Sequence, residues 1–310
     1  MACYYPIDCY KSASPNENGK YPLIFGNAQK AQRDDPMKIP CGRCHGCRLE
    51  GSRQWATRCY HESKLHEENS FLTLTYAPEH LPEDHSISKR EVQLFLKKLR
   101  KQLQPKKIRF FACGEYGESE DQGVIKLERP HYHLLIFGHE WTDKKFWDHK
   151  DGNDIFVSEN LTNLWGKGHC TIGEVNYKTA AYCARYIMKK IGGDEAFDHY
   201  QRLDEETGEI QLLEPEFTLQ SRRPGIGEPW YQKYKADLNK GFITIDGSKS
   251  AIPKYYVRLM EKEEDPTAYL EHQEAQRISI DFDDPEYSFE RLRIREEVKL
   301  RRIKLLKRNL

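Results

Sequence analysis

The stretch that most limits what this chain can fold into is Arg129-Pro130-His131-Tyr132-His133-Leu134-Leu135-Ile136-Phe137-Gly138. An apolar run with β-branched and aromatic members, bounded by Pro130 and Gly138, reads as a strand. Side chains alternate between the faces of a strand, so His131 and His133 point the same way. Two imidazoles on one face are half of a metal site, although such a pair is also common at a solvated strand end.

The preceding segment supplies a partner. Ile108 to Glu115 reads as a strand, Gly114-Glu115-Tyr116-Gly117 starts a turn, and a polar loop over 117–129 returns the chain to the histidine strand. The two strands make an antiparallel hairpin at the centre of a sheet. Glu115 then sits opposite the histidines and completes a His₂Glu set. Ser70 to Tyr76 is a further strand, rich in β-formers and closed by Pro78 and Pro82. Ser88 is in position to cap the next helix, with Glu91 three residues on as its capping-box partner. That helix carries Val92, Phe95, Leu96 and Leu99 at helical spacing for the core, and a basic outer face that includes Lys97 and Lys98.

Residues 139–170 are polar with interspersed aromatics, helical over about 158–165, and Cys170 to Val175 is a short strand. Lys178 to Lys190 reads as a helix stopped by Gly192-Gly193. Tyr182 and Tyr186 are four residues apart and share a face, and Lys189 lies on the same stripe. Ala181, Ala184, Ile187 and Met188 form the packing side. Residues 194–216 hold nine acidic residues and one basic, and read as an irregular insertion. Ser221-Arg222-Arg223-Pro224-Gly225-Ile226-Gly227 is a tight basic turn followed by Trp230 and Tyr231. Arginines interleaved with aromatics can hold phosphates and stack bases, or simply build a packed turn. Phe242 to Ile245 is another short strand. The last 20 residues hold nine basic and two acidic residues and read as a basic helix, able to bind nucleic acid or to pair with the acidic stretch 261–290 before it.

Near the start, Pro40-Cys41-Gly42-Arg43-Cys44-His45-Gly46-Cys47 is a CxxCxxC knot. Thiolates at this spacing can grip a structural zinc at Cys41, Cys44 and Cys47, with Cys3, Cys9 or His45 as a fourth ligand. The alternative is a tight turn capping the helix that follows, Leu49 to Leu65, whose inner side carries Trp55 and Cys59. Arg48, Arg53 and Arg58 on that helix could meet phosphates or solvent. Nine cysteines, an odd number with one tight cluster, suit a reducing cytoplasm better than a disulfide framework. No apolar run is long enough to span a membrane and no secretory signal opens the chain. The formal net charge is zero, so overall charge identifies no partner. The chain divides by composition into a loop-rich segment 1–40, a body 41–260 and a charged tail 261–310.

Three features occur in order: His-Tyr-His on a central strand, a glutamate on its neighbour, and a downstream helix with Tyr182-Cys183-Ala184-Arg185-Tyr186-Ile187-Met188-Lys189. Together they resemble the HUH endonucleases, the rolling-circle replication initiators. The tyrosine helix is similar to that of the gene A type initiators of microviruses. The cysteine knot, Gly114-Glu115-Tyr116-Gly117, Arg129-Pro130-His131-Tyr132-His133 and the Ser-Arg-Arg-Pro-Gly-Ile-Gly turn resemble the gokushovirus branch, over roughly residues 40–260. The resemblance implies an α+β fold with a central antiparallel sheet of about five strands flanked by helices. It also implies Tyr182, Tyr186 and Lys189 as catalytic residues, and Mg²⁺ or Mn²⁺ on His131, His133 and Glu115. Lys97, Lys98, Arg185, Arg222 and Arg223 become DNA contacts. The implied substrate is a single-stranded DNA origin, with host helicase and replication proteins as partners, no membrane, and the bacterial host cytoplasm as location.

The chemistry also follows from the residues. A tyrosine with a pKa of about 10 is ionised roughly once in a thousand at pH 7, so it needs help to attack a phosphate. A divalent ion on the His₂Glu set can act as a Lewis acid there, and Lys189 can add positive charge as the phosphorane forms. The product, a 5′-phosphotyrosine with a free 3′-hydroxyl, keeps the energy of the broken bond, so rejoining needs no ATP. Two tyrosines allow one to hold a DNA end while the other cuts. A non-catalytic, zinc-stabilised nucleic-acid-binding protein is the alternative reading. A zinc hydrolase working with water on the two histidines is a third. Neither of these needs a Tyr182–Tyr186–Lys189 face.

Overall fold

The computed structural model describes residues 3–17, 19–26, 31–121, 124–150, 152–189, 195–203, 208–278 and 284–305. The chain forms two compact units, Met1–Gly51 with Glu274–Arg308, and Ser52–Gln273 with the last two residues. The first unit opens with a three-stranded antiparallel sheet of β1 (Ile7–Ser12), β2 (Leu23–Ile24) and β3 (Ala31–Ile39), in the order β2-β1-β3. The cysteine knot follows, and α1 (His45–Ser63) starts within it.

The second unit is built on a seven-stranded sheet whose neighbouring strands all pair antiparallel. Its members are β4 (Asn69–Thr75), β5 (Arg109–Asp121), β6 (Val124–Phe137), β7 (Lys145–Lys150), β8 (Asn153–Val157), β9 (Cys170–Gly173) and β12 (Phe217–Gln220), in the order β12-β5-β6-β4-β9-β8-β7. Its helices are α2 (Lys89–Leu103), α3 (Glu159–Trp165), α4 (Tyr177–Lys189) and α5 (Glu195–His199). The pleat divides the core between two faces. Leu72, Leu74, Ala112, Leu134 and Ile136 pack with Val92, Phe95, Leu96 and Leu99 of α2 and with Leu161 and Trp165 of α3. The alternate positions Phe111, Cys113, Leu135 and Phe137 pack with Ala56 and Cys59 of α1 and Ala180, Cys183 and Ala184 of α4. Both faces of β6 are therefore covered, which is why its run is almost continuously apolar.

The α+β class with a helix-flanked antiparallel sheet is as expected, but the sheet has seven strands, not five. The strand near 243 lies elsewhere, and β7, β8 and β12 are additional. Every residue of β7 is exposed, so its sequence carries no alternation to read. Gly114 to Gly117 is not a turn, because β5 and β6 stay paired from Arg109↔Phe137 to Asp121↔Val124, with an irregularity between Tyr116 and Glu118. Ser88 precedes α2, but its side chain makes no cap. Its N–H donates instead to Tyr132 Oη at 2.9 Å, and Glu91 pairs with Lys167. The acidic stretch 194–216 is not irregular where it is described. After α5, β10 (Gln201–Leu203) pairs with β11 (Ile210–Leu212). Tyr200 and Leu213 are buried in the main core, and Tyr200 donates its hydroxyl hydrogen to buried Glu216. The expected stop at Gly192-Gly193 lies outside the described residues.

The rest of this unit surrounds the Arg-Arg-Pro-Gly turn. α6 (Glu228–Tyr234), the β13 (Ile243–Ile245) and β14 (Ser248–Ser250) hairpin and α7 (Lys254–Met260) share a cluster of Tyr231, Leu238, Ile243, Ile245, Ile252, Tyr256 and Met260. The turn is locked from within by buried Glu62, which accepts hydrogen bonds from Arg109 Nε at 2.5 Å and Gly227 N–H at 2.6 Å. Arg109 also donates to the carbonyls of Pro224 and Gly225. The chain closes with α8 (Thr267–Ile278) and α9 (Phe289–Leu305), where basic Arg291 pairs with acidic Glu286 at 2.9 Å. Among the described residues no helix is long and apolar enough to cross a membrane.

Candidate active site

Three strands of the sheet position one cluster. On β6, His131 and His133 share the face opposite to Tyr132, Leu134 and Ile136. The β5–β6 register sets Glu115 against His131 and Cys113 against His133, and the β4–β6 register sets Thr73 against His133. Directly opposed residues lie on the same face, so these side chains converge. One Glu115 oxygen, Oε1, lies 2.6 Å from His131 Nε2 and 2.9 Å from His133 Nε2. One ligand atom from each of the three residues falls within 4.8 Å of the other two. Glu115 and His133 are buried, while His131 is half-buried at the opening.

Burial alone would raise the pKa of Glu115. Hydrogen bonds and charge from His131 and His133 outweigh it and lower the value to about 2, so the carboxylate is charged at neutral pH. The ring contacts also constrain the protons. His131 Nδ1 is 3.3 Å from the carbonyl oxygen of Arg129, which can only accept, so Nδ1 carries a hydrogen. A neutral His131 then aims the lone pair of Nε2 at a carboxylate oxygen 2.6 Å away. A cation, either a proton or a metal ion, belongs between two such groups. A buried carboxylate and two imidazole nitrogens on one point therefore fit a divalent ion by their chemistry. His133 is held on its other side by Thr73 Oγ1, 3.0 Å from Nδ1, and by a stacked Phe71 ring at 5.6 Å.

The helix beside this cluster is fixed at its start by a reciprocal cap. Asn176 Oδ1 accepts the N–H of Thr179 at 3.0 Å, and Thr179 Oγ1 accepts the N–H of Asn176 at 2.9 Å. Small Ala180, Cys183 and Ala184 are fully buried against the sheet and set the rotation of α4. That rotation brings the Tyr182 ring edge-on to His133, with centroids 5.0 Å apart, and to Phe71 at 6.1 Å. Exposed Arg185 lies one turn on, its guanidinium 5.7 Å from the Tyr182 ring. Tyr186 and Lys189 belong to α4, but their side chains lie outside the described part of the structure.

The other basic residues singled out from the sequence are not gathered here. Lys97 and Lys98 are exposed on α2, which covers the opposite face of the sheet. Arg222 and Arg223 are exposed on the turn held by Arg109. Arg109 is six residues from Glu115, about 20 Å along β5. Arg53 and Arg58 have internal roles. Arg53 donates to Ser250 Oγ and to the Ala251 carbonyl. The Arg58 guanidinium lies between the rings of Trp55 and Tyr255, 4.0 and 3.9 Å away, and donates to the Ile226 carbonyl. Reading from sequence missed Thr73, Phe71 and Thr75, although the alternation along β4 puts all three on the histidine face. It also missed His169, whose carbonyl accepts from both the N–H and the hydroxyl of Thr75. Exposed Trp147, at the β7 irregularity, has its ring 5.9 Å from His169.

A second group of possible metal ligands lies in the first unit, where Cys3, Cys41, Cys44 and Cys47 bring their sulfurs within 4.8 Å of one another. Of the three residues considered as a fourth partner for the knot, the fold supplies Cys3.

Comparison with known proteins gives a consistent picture. A family of phage replication proteins, described as replication-associated protein ORF2, matches residues 69–191. The chain is 30% identical over 260 residues to replication-associated protein VP4 of Bdellovibrio phage phiMH2K, covering 81% of this chain and 76% of that one. It is 32% identical over 301 residues to replication-associated protein ORF2 of Spiroplasma virus 4, covering 90% and 87%. A third relative, replication-associated protein ORF4 of Chlamydia phage 1, is 28% identical over 72% of this chain and 54% of its own length. No solved structure matches.

Proposed function

The chain belongs to the replication-associated proteins of phages, and on that premise we propose that it initiates replication by nicking single-stranded origin DNA and later rejoining the strand. The observation that carries this reading is the position of Tyr182, edge-on to His133 at 5.0 Å and beside the His131–His133–Glu115 cluster. A phosphodiester seated over His131 at the open side of the cluster would lie within reach of the Tyr182 hydroxyl.

In the proposed step the Tyr182 oxygen attacks phosphorus, a Tyr–O–P bond forms, and the bond to the 3′-oxygen breaks. The tyrosine proton leaves to solvent and the departing 3′-oxygen takes one up. A divalent ion, Mn²⁺ or Mg²⁺, held by His131, His133 and Glu115 would supply Lewis-acid polarisation of the phosphate. Arg185, exposed next to Tyr182, neutralises phosphate charge on the approach to the site. Thr73 and Phe71 keep the His133 ring in its orientation. Tyr186 is the second nucleophile, one helical turn from Tyr182, and Lys189 adds positive charge on the same stripe. Reversal by the free 3′-hydroxyl re-forms the phosphodiester and closes a circle, and the host supplies the helicase and polymerase. The four thiols of the first unit hold no group this transfer needs.

The test uses labelled single-stranded oligonucleotides tiling the genome that encodes the chain, with Mn²⁺, resolved on a denaturing gel. A covalent adduct that peptide mapping places on Tyr182 or Tyr186 is expected. Tyr182→Phe should move the adduct to Tyr186, and the double Phe variant should form none while still binding DNA. DNA binding by wild-type protein without any adduct would instead support a binding protein without nuclease activity.

A further inference from the structure

We propose that Cys3, Cys41, Cys44 and Cys47 hold one zinc ion, and that this ion, not an apolar core, folds the first unit. The argument is independent of the nicking reaction.

The sulfur spacing favours a metal over the two other fates of close cysteines. Cys3 Sγ and Cys44 Sγ are 3.9 Å apart, and Cys41 Sγ and Cys47 Sγ are 4.0 Å apart. A disulfide requires about 2.05 Å. Four thiolates at about 2.3 Å from a tetrahedral zinc lie about 3.8 Å from one another. Both measured separations are close to that edge length, and the two pairs share no atom, so they form opposite edges of one tetrahedron. The local backbone is arranged for thiolates. Cys3 Sγ accepts the N–H of Cys41 at 3.2 Å, Cys41 Sγ that of Cys44 at 3.4 Å, and Cys44 Sγ that of Tyr4 at 3.4 Å. Gly42 at φ +76° makes the tight turn between Cys41 and Cys44. The other candidate ligands are placed elsewhere. Cys9 is buried but lies outside the group, and His45 Nδ1 faces Glu296 at 3.2 Å. Four soft ligands with no open position suit a closed structural zinc site.

The folding half of the proposal comes from what the unit lacks. Its buried apolar side chains among the described residues are Cys3, Cys9, Cys44 and Leu292, of which three are cysteines and two belong to the cluster. Larger candidates for a core, among them Ile7, Leu23, Phe25, Phe289 and Ile294, are at least two-fifths exposed. A small unit with so little buried apolar surface needs a covalent or metal staple. The metal would tie the chain entering β1 to the knot that follows β3 and starts α1. Its binding free energy then becomes folding free energy of the unit.

The experiment uses the full chain, purified under reducing conditions without chelator. Elemental analysis should find about one zinc per chain. Cys3→Ser should lose it, whereas Cys9→Ser and His131→Ala should keep it. Should Cys3→Ser fail to accumulate, the wild-type protein suffices: replacing the metal with cobalt should give the intense visible bands of a tetrahedral tetrathiolate, and removing the metal should free four further thiols for labelling. Hydrogen exchange on metal-stripped protein should quicken at least about tenfold over β1 and 41–51 while β4 and β6 stay protected. Reduced protein without zinc, iron in its place, or a Cys3→Ser variant with full zinc overturns the site. Unchanged protection after stripping overturns the folding role.

Discussion

Thr73→Val tests how the candidate active site is held. Thr73 Oγ1 lies 3.0 Å from Nδ1 of His133, whose Nε2 faces Glu115 at 2.9 Å. For Nε2 to bind a metal, the ring hydrogen must sit on Nδ1, where Thr73 accepts it. Valine keeps the branched shape and suits a strand, so only the acceptor is removed. Without metal the ring can switch tautomer and donate from Nε2 to Glu115, which relieves most of the loss. With metal on Nε2 that escape is closed, so the cost falls on the bound state alone. Losing such an outer partner costs about 10–100-fold in metal affinity, or about 1.4–2.7 kcal/mol. Stranding a buried donor costs about 1–3 kcal/mol, which agrees. Calorimetric titration of Mn²⁺ into wild-type and variant protein reads this directly. The Mn²⁺ dependence of nicking should move by the same factor, with the rate restored at saturating metal and the melting temperature nearly unchanged. A Mn²⁺ affinity within twofold of wild type would refute the reasoning, since either the metal does not sit on Nε2 or Thr73 does not set the tautomer.

Three further outcomes follow from other parts of the structure. A Cβ on Gly168 would lie 2.4 Å from both Ala77 N and Thr75 O, so Gly168→Ala should destabilise by about 3 kcal/mol or more in urea unfolding, and a neutral result would contradict this backbone approach. His61 is buried against Trp230 and its pKa is lowered to about 3, whereas the unfolded chain binds the proton near 6.5. Stability from this group is therefore complete above pH 6.5 and declines as pH falls toward 3. It should amount to about 2 kcal/mol between pH 7 and 5, and that difference should disappear in His61→Phe. Replacing Arg222 and Arg223 together by Ala should reduce the log–log salt slope of single-stranded DNA binding by about 1.4 if each meets one phosphate, and an unchanged slope would assign the turn a purely structural role.

What could be read from the sequence was whatever depends on local period. The alternation along β6 placed both histidines on one face, and the antiparallel return placed Glu115 opposite them. The helical spacing of Val92, Phe95, Leu96 and Leu99 gave the buried face of α2. What escaped depends on contacts between distant segments. β7 has no buried face and is held by backbone pairing, so its residues carry no pattern. Ser88 has the sequence of a cap, but Tyr132, 44 residues later, takes its N–H. Arg58 looks like a solvated charge until Trp55 and Tyr255 enclose it. Cys3 is 38 residues from Cys41, and no spacing rule distinguishes it from Cys9.

The pleat of β6 also acts as a proofreading device. His131 and His133 alternate with Tyr132 and Leu134, and the second pair is fully buried on the other side of the sheet. A slip of one residue against β4 or β5 would turn both imidazoles into the apolar layer beneath α2 and expose Tyr132 and Leu134 in their place. No misaligned form can keep a working site above a damaged interior, or a sound interior below a damaged site. For a chain that breaks DNA, the capacity to cut arises only when the whole sheet has closed in register, and a half-made molecule is harmless to the genome it serves.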